Sequence, residues 1–230
     1  MNSTSTSVAL IPGFMLDHTL WSDFREYLPS EWRVFNGALG EGPTIRDMAR
    51  CIAEQLPPRF VLIGFSLGGY IARQLAADYP ERVQALILVA TSLREDTEQQ
   101  KKSKLQAVQA LTPARFRGLS NATIARSLHP RNASDAALVS YIKEMSQRLG
   151  YQALATQSAL DRSEVPASTI GCQTLVIASA NDALRSLQEA DELVEAIPSA
   201  TLEVIDACGH MIPLEQPRTL AETIIRWLQQ

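Results

Sequence analysis

The sequence predicts an α/β fold in which one parallel sheet is interrupted by a long helical insertion. Three observations lead there. Short, continuous apolar runs alternate with helical-period segments from residue 8 to residue 90, the pattern of strands buried on both faces. The alternation stops near residue 93, and no strand-like run recurs before about residue 168. It then resumes with runs at 174–179 and 201–205, separated by a helical stretch at 184–197.

Taken in order, Val8-Ala9-Leu10-Ile11 is an apolar run ended by Pro12-Gly13, the signature of a buried strand. Residues 17–28 follow with Leu20, Trp21, Phe24 and Leu28 at helical spacing. Trp32-Arg33-Val34-Phe35 is a second strand, and Gly37, Gly40, Gly42 and Pro43 form a loop. Thr44 caps a helix that runs to Leu56 and is stopped by Pro57-Pro58. A strand at 60–63, a helix at 70–79 and a strand at 85–90 complete the first half. Helical stretches are predicted at 97–111, 113–119, 122–128, 135–149 and 151–161, and a last helix at 218–229. The domain expectation is a core of residues 1–92 and 169–230 with a helical cap at 93–168.

A length of 230 residues, 46% of them hydrophobic and 20% charged, fits a soluble globular chain. No apolar run approaches a membrane span. The first seven residues are polar and uncharged, without the basic and apolar regions of a signal peptide, so a frayed tail and a cytoplasmic location are expected. Cys51, Cys172 and Cys208 show no pairing pattern and read as reduced thiols. A net charge of −4 argues against a nucleic-acid partner. The charge is unevenly spread: the insertion carries 11 Lys and Arg against 7 Asp and Glu, the remainder 10 against 18. A basic insertion over an acidic core would hold the two together and favour anionic ligands; the plainer alternative is that surface charges merely cluster this way.

The chemistry centres on Gly64-Phe65-Ser66-Leu67-Gly68, placed between a strand and a helix. A serine at the apex of such a turn stands clear of the backbone, and the glycines let strand and helix approach closely. A serine hydroxyl is a poor nucleophile without a base. The chain has three histidines. His210 lies in the loop after the strand at 201–205, at the carboxyl end of the sheet where open α/β folds place their sites. The others are His129, beside Pro130 in the insertion, and His18, at the start of a helix. The base needs an acid to hold its tautomer. Asp182 follows the strand at 174–179; Asp206 is too close to His210 in the chain to come from a separate strand, and Asp161 lies in the insertion. The oxyanion of a tetrahedral intermediate needs amide donors. Leu67, at a helix N-terminus, supplies one; Phe14, in the loop after the first strand, supplies the other, with Met15 as the alternative. Phe14, Met15 and Leu67 also read as an apolar substrate wall, and Arg185 as a contact for an anionic group or a salt-bridge partner. Cys208-Gly209-His210 has no further metal ligands nearby, so neither a metal nor another cofactor is expected.

These segments together resemble the α/β-hydrolase superfamily, specifically its small esterase-like members with a helical cap. Pro12-Gly13-Phe14 with Trp21 is similar to the family's oxyanion segment, residues 64–69 to its nucleophile elbow, and Asn181-Asp182 and Gly209-His210 through Pro217 to its acid and base loops. The resemblance implies a Ser66–His210–Asp182 triad acting through an acyl-enzyme on a small-molecule acyl substrate, with no membrane partner. Two departures stand out. Pro12 occupies a position where members often carry histidine. The chain also opens at what would be the family's third strand, which implies about six parallel strands without the initial antiparallel hairpin. Carboxylic-ester hydrolysis is the reaction implied. A C–C bond hydrolase, a lyase-type synthase of quinone biosynthesis and an acyltransferase use the same triad, and a ligand-binding protein on this scaffold is the alternative from another class.

Overall fold

A computed structural model describes residues 6–40 and 42–230. The tail expected to fray falls largely on residues 1–5, outside the described residues. Six parallel strands form one sheet in the order β2-β1-β3-β4-β5-β6. They are β1 (Ser7–Ile11), β2 (Arg33–Asn36), β3 (Phe60–Phe65), β4 (Val83–Val89), β5 (Gln173–Ala178) and β6 (Ala200–Val204). All six predicted strands are present, displaced at their ends by one or two residues. The chain moves from β1 outward to β2, then returns to pair β3 on the other side of β1. Between β1 and β3 the strand order reverses, so the loops after these two strands part and leave a crevice.

Alternation along the central strands fills both faces. Val61, Ile63, Phe65, Ile87 and Val89 point to one core with Trp21, Phe24 and Ile224; Phe60, Leu62, Leu86 and Leu88 point to the other with Met48, Tyr70, Ile71 and Leu193. The second face is covered by α2 (Ile45–Glu54), α3 (Leu67–Asp78) and α7 (Leu187–Ala196). The first carries α1 (Ser22–Arg25) and α9 (Pro217–Leu228). Thr44 caps α2 as predicted, accepting the Asp47 amide at 3.0 Å. The helix predicted at 17–28 is shorter: a 3-10 turn, His18–Trp21, leads into α1, which stops well before Pro29.

Between β4 and β5 run α4 (Glu98–Gln109), α5 (Asn121–Ser127) and α6 (Ala136–Ala159). Thr97 and Gln100 form a capping box at α4. The helices predicted at 135–149 and 151–161 are one element with a break at Gly150, whose φ of 77° lies in the left-handed region. The helix predicted at 113–119 is not formed. Hydrogen bonds from Arg115 and Phe116 to the Thr112 carbonyl make a single turn, and Gly118 at φ 81° then turns the chain against Ser146. Met15, Phe116 and Leu154 form a third, small apolar cluster. The short α8 (Ile212–Glu215), just after His210, was not expected. None of the described helices is long and apolar enough to cross a membrane.

Both ends of this helical segment are tied to α3 by one residue. Arg73 is fully buried and donates to the carbonyls of Ser92 on the way in and of Val165 and Pro166 on the way out. Burial pushes its guanidinium down to about 10.

Candidate active site

Ser66 sits between β3 and α3 with φ 51° and ψ −113°, a conformation that costs a non-glycine residue energy and persists only where the surroundings impose it. Those surroundings are close. A Cβ on Gly64 would lie 2.6 Å from the Gly68 carbonyl, and one on Gly68 would collide with the carbonyls of Ile11 and Pro12. Only glycine at both positions lets β1, β3 and α3 meet here. The Ser66 amide donates to the Val89 carbonyl at 2.9 Å, and its own carbonyl accepts the Thr91 hydroxyl at 2.7 Å. The turn is thus clamped to β4 from both sides.

The Ser66 Oγ lies 2.9 Å from His210 Nε2, and His210 Nδ1 lies 2.7 Å from Asp182 Oδ2. The carboxylate holds the imidazole proton at Nδ1, which leaves the Nε2 lone pair to accept from the serine hydroxyl. Asp182 is itself fixed: its Oδ1 accepts the amides of Leu184 and Arg185 at 2.7 and 3.0 Å. Its side chain is 2% exposed and that of His210 6%, so the pair is shielded from water on all but one side. The three residues singled out from sequence, from three different strand ends, therefore form one continuous hydrogen-bonded chain. His129 and His18 do not join it. The His129 Nδ1 accepts the Arg131 amide, and His18 is exposed at the start of its 3-10 turn.

The loop after β1 separates the two proposed oxyanion donors. The Met15 amide is taken by the Oε1 of Gln157 at 2.8 Å, so it cannot face an oxyanion. Phe14 lines the cavity beside Ser66 and Leu67, and the Leu67 amide, first in α3, has no intrahelical acceptor. Met15 also departs from expectation as a wall residue. Its side chain is fully buried in the cluster with Phe116 and Leu154, because its φ of 56° turns it away from the cavity. Arg185 lines the cavity and is paired with Glu189 at 2.9 Å.

Sequence reasoning missed two residues that hold the site. Gln157, fully buried on α6, bridges the Met15 amide and the Leu39 carbonyl (3.1 Å). Glu215 accepts the Gly209 amide at 2.8 Å with one oxygen, and the His129 amide and Asn132 side chain at 2.8 Å with the other. Gln157 stands between Thr156 and Ser158 on a predicted helix and carried no signal of its own in the sequence. Cys208, next to the base loop, is buried and its thiol is pushed up to about 11, so it stays protonated and does not compete as a nucleophile.

Ser66 and His210 open into a cavity of about 1030 Å³. Its walls come from the core (Phe14, Leu67), from the turn before α4, and from α4, α5 and α6. Among the described residues no His, Cys, Asp and Glu cluster is arranged to hold a metal.

A strand–serine–helix turn, a histidine and an aspartate from later strand ends, and a helical segment over them can be compared with known proteins. The chain is 29% identical over 260 aligned positions to the pimeloyl-[acyl-carrier protein] methyl ester esterase of Aromatoleum aromaticum, covering 95% of this chain and 98% of that protein. Among solved structures, a thermophilic esterase from Thermogutta terrifontis, with malate bound, superposes with a TM-score of 0.84 at 27% identity, covering 98% of this chain and 90% of that one. The enol-lactonase of Burkholderia xenovorans LB400 shares the fold at a TM-score of 0.86 and 17% identity, covering 99% and 93%. Residues 20–217 match the family model of the alpha/beta hydrolase fold. That match spans most of the chain, including the turn at Ser66 and the loops of Asp182 and His210, and with it the protein belongs to the α/β-hydrolase family.

Proposed function

We propose that this protein is a serine hydrolase of carboxylic esters, working through Ser66, His210 and Asp182 and an acyl-enzyme intermediate. The observation that carries the reading is the unbroken hydrogen-bonded chain from Ser66 Oγ through His210 to Asp182 at the floor of the cavity. Esterases among its relatives support it.

In this mechanism His210 Nε2 takes the Ser66 proton as Oγ bonds to the ester carbonyl carbon. The amides of Phe14 and Leu67 receive the oxyanion, the latter helped by the positive end of α3. The imidazolium, stabilised by Asp182, gives its proton to the departing alkoxide as the C–O bond breaks. Water then attacks the acyl-enzyme, with His210 again removing and returning the proton. The acid leaves, and Ser66 regains its hydrogen. No step requires a cofactor or metal.

Residues 93–168 serve as a cap over a core of residues 1–92 and 169–230. The cap supplies much of the cavity wall and so sets which acyl and alcohol groups fit.

The test is hydrolysis of p-nitrophenyl esters from acetate to decanoate, with wild type and Ser66→Ala side by side and fluorophosphonate labelling of both. Turnover and labelling in wild type that vanish in a folded Ser66→Ala are expected. Labelling without ester turnover would move the chemistry to C–C hydrolysis, a lyase-type synthase or acyl transfer on the same triad. A folded wild-type protein with neither would overturn the catalytic reading in favour of a binding role.

A further inference from the structure

The far side of the cavity carries a charge imbalance that the triad chemistry leaves unexplained. Arg73 and Arg162 both lie over the Tyr70 ring, 5.1 and 5.3 Å from its centroid. Arg73 is spent on backbone carbonyls. The Arg162 side chain is only 9% exposed. It meets Asp96 at 3.5 Å, and its Nε is buried without a hydrogen-bond partner. Lys104 pairs with the same Asp96. Two cations, Arg162 and Lys104, thus share one carboxylate. Lys104 registers the crowding: burial, and then the neighbouring Arg162, push its ammonium below the usual lysine range. Buried charge without compensation is costly, and a guanidinium with unused donors is the group that carboxylates satisfy best.

Arg162, Lys104 and Asp96 line the same cavity as Ser66 and His210. The wall includes apolar side chains, Val108, Leu111, Phe116 and Leu154 among them. Eight Lys and Arg line the whole cavity against three Asp and Glu, so no surplus of acid elsewhere cancels the local excess. Facing the cavity, Arg162 and Lys104 exceed Asp96 by one charge. A monoanion matches that surplus, whereas a dianion would be repelled by Asp96.

We infer that Arg162 and Lys104 form a subsite for a free carboxylate on the acyl chain of the substrate, so that the preferred substrates are half-esters of aliphatic dicarboxylic acids. The ester carbonyl sits at Ser66, the methylenes lie along the apolar wall, and the distal carboxylate closes the ion cluster. The assignment of the ester end rests on the hydrolase reading above; the anion subsite does not.

Two measurements separate them. The first compares kcat/KM for monomethyl esters of succinate through suberate with chain-matched methyl alkanoates, in wild type, Arg162→Gln and Arg162→Lys. A preference of about tenfold or more for one half-ester is expected, collapsing in Arg162→Gln and partly restored in Arg162→Lys. Equal or better turnover of the neutral esters by wild type would overturn the subsite and leave the hydrolase intact. The second is calorimetric binding of monomethyl adipate, a monoanion, to Ser66→Ala, with and without Arg162→Gln, or Lys104→Gln if the arginine variant does not fold. Saturable binding weakened about tenfold supports the subsite even if no ester is turned over. Absent binding, or binding indifferent to both substitutions, overturns it.

Discussion

The sheet core and the helical segment between β4 and β5 both hold residues of the candidate site, by different physical means. On the core side Ser66 is fixed by backbone contact: glycines at 64 and 68 admit carbonyls and helix at distances no Cβ tolerates, and strand hydrogen bonds clamp the turn. On the cap side the loops are fixed by single side chains and peptide groups. Gln157 reaches the loop after β1, the Ser127 carbonyl accepts the amides of His210 and Met211 at 2.8 and 3.2 Å, and Glu215 joins the base loop to His129 and Asn132. Ser66 is thereby held by close steric contact. The loop after β1 and the loop of His210 are held by hydrogen bonds that can be lost one at a time. The helical segment between β4 and β5 is thus structural support for the candidate site as well as part of its cavity wall.

The comparison predicts where damage is largest. Under the proposed mechanism, removing the carboxylate of Asp182 should have the greatest effect on rate. Asp182→Asn keeps the two amide contacts to Leu184 and Arg185 but presents the wrong partner to His210 Nδ1. A fall in kcat of about 10⁴ is expected with little change in thermal stability. Near-normal kcat would show that another group holds the imidazole.

Gln157→Leu comes next, and it tests whether the cap reaches the chemistry. It strips the partners of the Met15 amide and the Leu39 carbonyl, both at a fully buried side chain. Each group left unpaired costs about 1–3 kcal/mol. Displacement of the Phe14 amide by about 1 Å would lower kcat about 10²-fold, because a misplaced donor no longer meets the oxyanion. KM should change less than kcat, and Gln157→Glu, which still accepts from Met15, should recover part of the rate. If Gln157→Leu lowers stability alone, the cap is a wall and nothing more.

How much of this could be read in the sequence follows the same division. The steric parts were legible because they are local: a serine between glycines, after an apolar run and before a helix, can be recognised without knowing what packs on it. Asp182 and His210 were legible because strand ends in a parallel sheet converge on one edge. The helix expected at 113–119 failed because Gly118 turns the chain against Ser146, a contact 28 positions away. Met15 was assigned to the wall from its neighbours in sequence, while its positive φ, imposed by the loop, sends the side chain into the cluster with Leu154. Gln157 and Glu215 act over separations of 142 and 86 residues, and no local pattern encodes them.

Glu215→Ala should cost stability more than rate. One carboxylate satisfies three donors, and hydrogen bonds to a charged group contribute about 1.5–3 kcal/mol. For a chain of this length a loss of that size lowers Tm by about 3–12 °C. The Ser127 carbonyl still holds the His210 amide, so kcat should fall less than in Gln157→Leu. Differential scanning calorimetry beside steady-state kinetics checks both halves.

The smallest effect belongs to an exposed link between the two regions. Asp17, in the loop after β1, meets Arg148 of α6 at 2.8 Å and accepts from Thr19. Burial works to raise its carboxyl, but the hydrogen bonds from Arg148 and Thr19 outweigh burial and hold it below its ordinary value of 3.8. A carboxylate depressed on folding stabilises the folded state above its unfolded pKa. That contribution is lost as the pH falls through the lower, folded value. With Arg148 about half exposed, the pair contributes only about 0.2–1 kcal/mol. Asp17→Asn should therefore melt slightly below wild type at pH 7, and the gap should narrow as the pH is taken below 3.8. Added salt should narrow it as well, because an exposed pair is screened while the hydrogen bonds of Gln157 and Glu215 are not. A gap that persists unchanged in acid would mean that Asp17 acts through its cap on the 3-10 turn, where its oxygen accepts the Thr19 amide, rather than through its charge.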